Sequence, residues 1–257
     1  MRNELKRRLA EGDRVYGCWL GGAHPGAAEL LAHAGYDFLI LDNEHGPADL
    51  ETSLSVMRAA EAAGCPLIVR VPWNDPVYVK RILDAGAQSL MIPMIENREA
   101  AEAAVSACRY PPAGTRGYAA LSQRCTRWSL WPDYLARWQS ELLVIAQIES
   151  AAAAGRAQSI AAVDGVDLVL IGVNDLGGTL GHLEGGLAHP DVAAAVHRAE
   201  AGIRAAGKPM ATVPSAMRTT PELFAAGYQL VAGAVDMMLL AKAARADVEA
   251  ARSAMQA

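Results

Sequence analysis

Short apolar runs rich in Val, Ile and Leu recur along the chain, each bounded by Gly, Pro or Asp and most followed by a segment with helical spacing of its apolar residues. They predict eight strands, over Val15–Trp19, Phe38–Asp42, Leu67–Arg70, Ser89–Ile92, Val144–Ile148, Leu168–Ile171, Pro209–Val213 and Leu230–Gly233. The runs are continuous rather than alternating, so both faces of each strand are expected to be buried, as in a parallel sheet covered by helices. Eight such strands predict an α/β fold, a single-domain (β/α)8 TIM barrel over residues 1–257, with a doubly wound open sheet as the alternative.

The intervening helices carry matching stop signals. Ala-Gly-Tyr-Asp, Ala-Gly-Cys-Pro, Asp-Ala-Gly-Ala and Ala-Gly-Lys-Pro each put a glycine where a left-handed residue ends a helix ahead of the next strand. The opening MRNELKRRLAEGDRV alternates charge and leucine and predicts a short surface helix. One interval breaks the rhythm: YPPAGTRGYAALSQRCTRWSLWPDYLARW, within about 110–139, is rich in Arg, Trp and Tyr and longer than a plain βα connection. Long connections of this kind tend to be functional loops, and this one is expected on the active-site side, bordering the substrate.

Composition narrows the class. With 52% hydrophobic and 20% charged residues and a net charge of −5, the chain suits a soluble enzyme and offers no basic surface for nucleic acid. No apolar run is long enough to span a bilayer and no leader-like segment opens the sequence, so a cytoplasmic location is expected. Cys18, Cys65, Cys108 and Cys125 are scattered without a C-x-x-C pair and are expected to be reduced and buried.

In a (β/α)8 barrel the active site lies at the carboxyl ends of the strands, and polar residues collect there. The second strand runs into Asp42-Asn43-Glu44-His45-Gly46, the third ends in Arg70, the fifth in Gln147-Ile148-Glu149, and the sixth leads to Gly172-Val173-Asn174-Asp175. Glu149 and Asp175 have the oxygen chemistry of ligands for a hard divalent metal ion, Mg2+, Mn2+ or Co2+, leaving positions open for a 2-oxo acid whose enolate the metal would stabilise. Arg70 would add positive charge at the enolate oxygen, and His45 is the natural general acid/base for an aldol alcohol. Taken singly, Asp175 also reads as a helix cap, Glu149 as a first-turn helix residue, Arg70 as half of an ion pair and His45 as a loop residue. Their joint placement after successive strands favours catalysis. A Schiff-base aldolase needs a lysine at a strand end, whereas Lys6, Lys80, Lys208 and Lys242 lie on expected helices or ahead of a strand.

The segments LLAHAGYDFLILDNEHGP, VRVPWNDPVYVKRILDAGAQSLMIPMIEN, RYPPAGTRGYAAL, AQIES and VDLVLIGVNDLGGTLG, in this order, resemble the HpcH/HpaI aldolase family of class II pyruvate aldolases, nearly end to end. The resemblance implies His45 as catalytic base, Arg70 on the substrate keto oxygen, Glu149 and Asp175 as metal ligands, and Gln147 with the backbone from Gly172 through Asn174 to Asp175 on the pyruvate carboxylate. It also implicates Asp42 and Asp84 in orienting His45. Asp84 precedes the fourth strand and belongs near the opposite end of its own barrel, so a neighbouring subunit is expected to present it, in a homo-oligomer that the resemblance implies to be a hexamer. The substrates so implied are pyruvate and an aldehyde.

The family's Gly-Pro-(Ala/Asn)-Asp-Leu-Ser is here Gly172-Val173-Asn174-Asp175-Leu176-Gly177, and GYAALSQRCTRW and PMATVPS also depart from the usual pattern, which bears on the aldehyde more than on pyruvate. Two alternatives stand beside the aldolase. One is a related barrel lyase or decarboxylase acting on oxaloacetate or an acyl-CoA, for which only Arg116, Arg124 and Arg127 offer a basic surface; the other is a non-catalytic 2-oxo-acid binding protein, which would have no use for His45.

Overall fold

The computed structural model describes residues 2–256. In chain order it runs α1 (Glu4–Ala10), β1 (Val15–Leu20), α2 (Pro25–His33), β2 (Phe38–Asp42), α3 (Leu50–Ala62), β3 (Leu67–Arg70), α4 (Pro76–Asp84), β4 (Ser89–Ile92), α5 (Arg98–Cys108), α6 (Tyr134–Glu141) and β5 (Leu143–Ile148). It continues through α7 (Ala151–Gly155), α8 (Ala157–Ala161), β6 (Leu168–Ile171), α9 (Val173–Thr179), α10 (Pro190–Ala205), β7 (Met210–Thr212), α11 (Thr220–Ala225), β8 (Tyr228–Val235) and α12 (Asp236–Gln256). The strands pair in sequence order, all parallel, and β8 closes on β1, which makes the sheet a barrel rather than an open sheet.

All eight expected strands form, and four, β2, β3, β4 and β6, match to the residue. β8 starts two residues earlier than its apolar run because its polar members find partners: Tyr228 donates to Glu200 Oε1 at 2.8 Å and Gln229 Nε2 to the Leu9 carbonyl at 3.1 Å. The four anticipated helix-ending glycines, Gly35, Gly64, Gly86 and Gly207, have φ of 97°, 71°, 106° and 68°.

The lumen is filled by Val15, Phe38, Ile40, Ile68, Ile145 and Leu168 among others, as expected of a packed barrel rather than a pore. Leu5 and Leu9 of α1 join that cluster, fully or almost fully buried, so the first helix is a plug under the barrel's amino end and not a surface helix. Asn3, just before it, caps the helix and ties it to the barrel wall through the Gln88 carbonyl (2.9 Å) and Ser89 Oγ (3.0 Å). The four cysteines are free and buried. No helix among the described residues is long and apolar enough to cross a membrane.

The 110–139 interval differs from expectation in its location. It follows α5 and precedes β5, so it is an αβ connection on the amino end of its own barrel and not an active-site-side excursion. Arg124 there donates to the Ala85 carbonyl at 2.8 Å and to Glu61 at 2.6 Å, both on that end. A helix intervenes between β4 and the excursion, which reverses the direction of the chain before the long loop begins.

α12 departs from the ring of helices. Asp236, at its start, is anchored, its carboxylate accepting the N–H groups of Gly21 (2.9 Å) and Gly22 (3.1 Å). Beyond that turn the helix stands exposed, and Met237, Met238, Leu239 and Leu240 face solvent.

Candidate active site

The carboxyl ends of β2, β3, β5 and β6 bring the polar residues to one mouth. Asp42 closes β2, and the chain turns sharply after it: a Cβ on Gly46 would meet the Asp42 carbonyl oxygen at 2.2 Å, so only glycine fits. The Asp42 carboxylate fastens that turn by accepting the N–H groups of Glu44 (3.0 Å) and His45 (3.2 Å). It also receives Arg70 in a fork, Nε to Oδ1 at 2.9 Å and Nη2 to Oδ2 at 2.7 Å. Burial pushes the Asp42 carboxyl up, but the Arg70 fork and the two amides hold it below its usual value.

Arg70 is 8% exposed, lies with its guanidinium 4.6 Å from the Trp19 ring centre, and makes a further ion contact from Nη1 to Glu44 at 2.9 Å. Glu44 is half-buried. Burial raises its carboxyl to about 7, with Arg70 opposing the rise and the charge of Glu149 adding to it.

Glu149 follows β5 directly and is 1% exposed. It is not a first-turn helix residue, since Ser150 is the N-cap of α7. Its Oε1 accepts the Met94 N–H at 2.7 Å, an amide aimed by a left-handed Met94 (φ 53°), and its Oε2 accepts the side-chain amide of Gln147. Burial raises the Glu149 carboxyl; the two amides lower it, and the charge of Asp175 raises it again. Gly172 presses against this group: a Cβ there would lie 2.9 Å from both Cβ and Oε2 of Glu149.

Asp175 stands in the first turn of α9, whose N-cap is Gly172, so it is not a cap. No side chain caps this helix. Both Asn174 and Asp175 are exposed at the mouth. A buried carboxylate thus faces a second carboxylate, with Arg70 as the cation drawn toward both Glu44 and Glu149, and the Oε1 of Gln147 is buried without a partner. Excess negative charge made of hard oxygen donors is the electrostatic signature of a cation site.

Residues 15–243 match the family model described as HpcH/HpaI aldolase/citrate lyase. The chain belongs to the HpcH/HpaI aldolase/citrate lyase family. It is 42% identical over 246 residues to a 4-hydroxy-2-oxo-heptane-1,7-dioate aldolase of Salmonella dublin, covering 96% of this chain and 93% of that one. Among solved structures, an HpcH/HpaI aldolase/citrate lyase family protein from Burkholderia cenocepacia J2315 superposes with a TM-score of 0.91 at 39% identity, covering 97% of this chain and 99% of that one. The HpcH/HpaI aldolase of Desulfitobacterium hafniense DCB-2 gives 0.86 at 28% identity, with 96% of each chain covered. By this kinship the chain is an aldolase, a carbon–carbon lyase.

Of the residues expected at this HpcH/HpaI site, Asp42, His45, Arg70, Gln147, Glu149, Gly172, Asn174 and Asp175 come to the carboxyl end of the barrel. Two behave differently from expectation. Asp42 reaches His45 through its backbone N–H and not through the imidazole, which is 64% exposed with Nε2 4.0 Å from Glu44. Gln147 directs its amide at Glu149, leaving an acceptor and not a donor unpaired. Asp84 lies where its place ahead of β4 puts it: it ends α4 on the amino end of the barrel, where Arg116 donates to it at 2.6 Å, away from His45 of its own chain. Glu44 is the functional neighbour that sequence reasoning left without a role. Its place between Asp42 and His45 was visible, but its burial against Arg70 was not.

Proposed function

We propose that the protein is a divalent-metal-dependent class II aldolase that cleaves or forms 4-hydroxy-2-oxo acids by way of a pyruvate enolate and an aldehyde. The observation that carries this reading is Glu149, a carboxylate buried at the mouth beside a second carboxylate, Asp175, without a cation bonded to it among the described residues. The donor set fits Mg2+, Mn2+ or Co2+, with Glu149 and Asp175 as its protein ligands. When bound, such an ion supplies Lewis acidity that stabilises the enolate of the 2-oxo acid.

The chain's own residues do the rest. Arg70, held rigid by Asp42 and Trp19, presents fixed positive charge to the substrate keto oxygen, so little reorganisation is needed as charge develops there. The backbone of Gly172, Asn174 and Asp175 receives the pyruvate carboxylate, while Gln147 acts by orienting Glu149. In the cleavage direction His45 takes the proton of the C4 hydroxyl, the C3–C4 bond breaks, the aldehyde leaves, and the electron pair remains on the enolate that Arg70 faces. Reprotonation at C3 gives pyruvate.

The exposure of His45 and the position of Asp84 favour assembly as a homo-oligomer, a hexamer in this reading, in which a neighbour brings Asp84 to His45. The bare apolar turn Met237–Leu240 of α12 supports burial against a second copy. An acyl-CoA substrate is disfavoured because Arg124 and Arg127 pair with Glu61 and Arg116 with Asp84, all at the amino end, which leaves no such basic patch at the mouth.

Deuterium exchange into the methyl group of pyruvate, followed by NMR, tests the reading. Exchange is expected with Mn2+ or Mg2+ and is expected to vanish in metal-free protein and in Glu149→Gln. Exchange that persists without metal, or none under any metal, overturns it.

A further inference from the structure

The connection from α9 to α10 carries a group of side chains that the aldolase chemistry does not use. His182 lies in the turn after α9, and its N–H donates to the Gly177 carbonyl at 2.8 Å, which folds the connection back onto the helix that bears Asp175. His189 is the N-cap of α10, and Asp191 is in the first turn of that helix. The two imidazoles stack at 3.3 Å between centres with their planes 18° apart. The Asp191 carboxylate lies against both, Oδ2 being 3.6 Å from His182 Nε2 and 3.8 Å from His189 Nδ1. One donor atom from each residue falls within 4.8 Å of the other two.

We propose that His182, His189 and Asp191 form a second metal site, for a borderline divalent transition ion such as Zn2+, separate in place and in chemistry from the oxygen site at Glu149 and Asp175. The spacing is the first argument. Bonds of about 2.0–2.1 Å to one tetrahedral ion put its donor atoms roughly 3.3–3.4 Å apart, so the two carboxylate–imidazole separations, 3.6 and 3.8 Å, need to close by only a few tenths of an ångström. Donor type is the second: two imidazoles with one carboxylate select zinc-like ions, whereas the all-oxygen site suits Mg2+ and Mn2+.

One of the donors is held only loosely by a hydrogen bond. The Asp191 N–H reaches His189 Nδ1 at 3.3 Å, a long contact that an ion at Nδ1 would replace. The stacked rings must splay for both lone pairs to converge. His182 and His189 are 26% and 36% exposed on their side chains, so that rotation moves into solvent and not into packed core. Three protein ligands leave a position for water. The ion would bind the end of α9 to the start of α10 across a connection lying next to the mouth, and so hold the Asp175 helix in place.

Zinc binding to the full-length protein tests the site, read by equilibrium dialysis and by the imidazole nitrogen resonances in NMR. In excess Mg2+, which occupies the oxygen site, one Zn2+ per chain is expected both for the native protein and for Glu149→Gln, so a failure of the oxygen site and a failure of this one are told apart. His182→Ala, and separately His189→Asn, which keeps a good N-cap, should each lose that Zn2+ or weaken its binding by at least about tenfold. Zn2+ but not Mg2+ should shift Nε2 of His182 and Nδ1 of His189. Unchanged binding in both histidine variants, or imidazole resonances indifferent to Zn2+, overturns the proposal.

Discussion

Arg70 and Asp42 form a forked ion pair, 2.9 Å and 2.7 Å, across adjacent strand ends, and the same carboxylate holds the turn that carries His45. One interaction therefore fixes both the cation that faces the enolate and the loop that presents the base. A lysine keeps the charge at position 70 but cannot make the fork or lie flat against Trp19. Arg70→Lys is expected to slow pyruvate methyl exchange by at least about 10²-fold with the protein still folded, as measured by NMR and circular dichroism. Exchange within a few-fold of native would show that the fork does not matter to the chemistry.

Glu44 makes a pH prediction for metal-free protein. Its folded-state value of about 7 lies above that of an unfolded glutamate, so the folded protein holds the proton more tightly between roughly pH 4.5 and 7. Its contribution to stability is complete below that window and is lost as pH rises through it, by up to about 3 kcal/mol. Thermal melts of native protein and Glu44→Gln in a chelator should thus diverge: the native Tm falls from pH 5 to pH 8 relative to that of the variant. Parallel curves would mean that Glu44 titrates normally.

Gly172 has a steric role that its place in a loop conceals. Because an added Cβ would meet Glu149 at 2.9 Å on two atoms, Gly172→Ala must displace the carboxylate or the strand end. Overpacking of this kind costs about 1–3 kcal/mol. Mn2+ affinity by calorimetry should drop more than Mg2+-independent stability does, since the displaced group is the proposed ligand. Native affinity in a folded Gly172→Ala protein would remove Glu149 from the metal site.

The barrel was legible because burial on both faces writes continuous Val, Ile and Leu runs, and because a barrel's strand ends must all point one way. That single rule sorts Arg70, Glu149 and Asp175 onto one face from the sequence alone. What stayed hidden depends on side-chain direction or on where a loop falls in the alternation of strand and helix. Leu5 and Leu9 read as a surface helix because two apolar residues in a charged segment do not reveal that a barrel end is waiting for them. The length and composition of the aromatic excursion suggest a loop at the mouth, whereas its position after α5 puts it at the other end. Glu44 carries no such signal in the sequence because its carboxyl is raised by burial, with the charge of Glu149 adding to the rise and Arg70 opposing it, and the residues that surround it are distant in sequence.

Asp84 provides the sharpest test of the assembly. It is held by Arg116, whose guanidinium is buried against Tyr110 at 4.4 Å, on the end of the barrel opposite His45 of the same chain. A residue fixed there can serve His45 only in another copy. His45→Ala and Asp84→Asn are each expected to lower aldol cleavage at least tenfold. When the two variants are dissociated, mixed and reassembled, sites with an intact His45 from one chain and an intact Asp84 from the other form, and activity should return. Arg116→Leu should lose activity together with stability, by about 3–5 kcal/mol, since it leaves Asp84 without its cation. If the mixture stays as inactive as its components while assembling normally, Asp84 has no part in a neighbour's chemistry, and its pairing with Arg116 is structural alone.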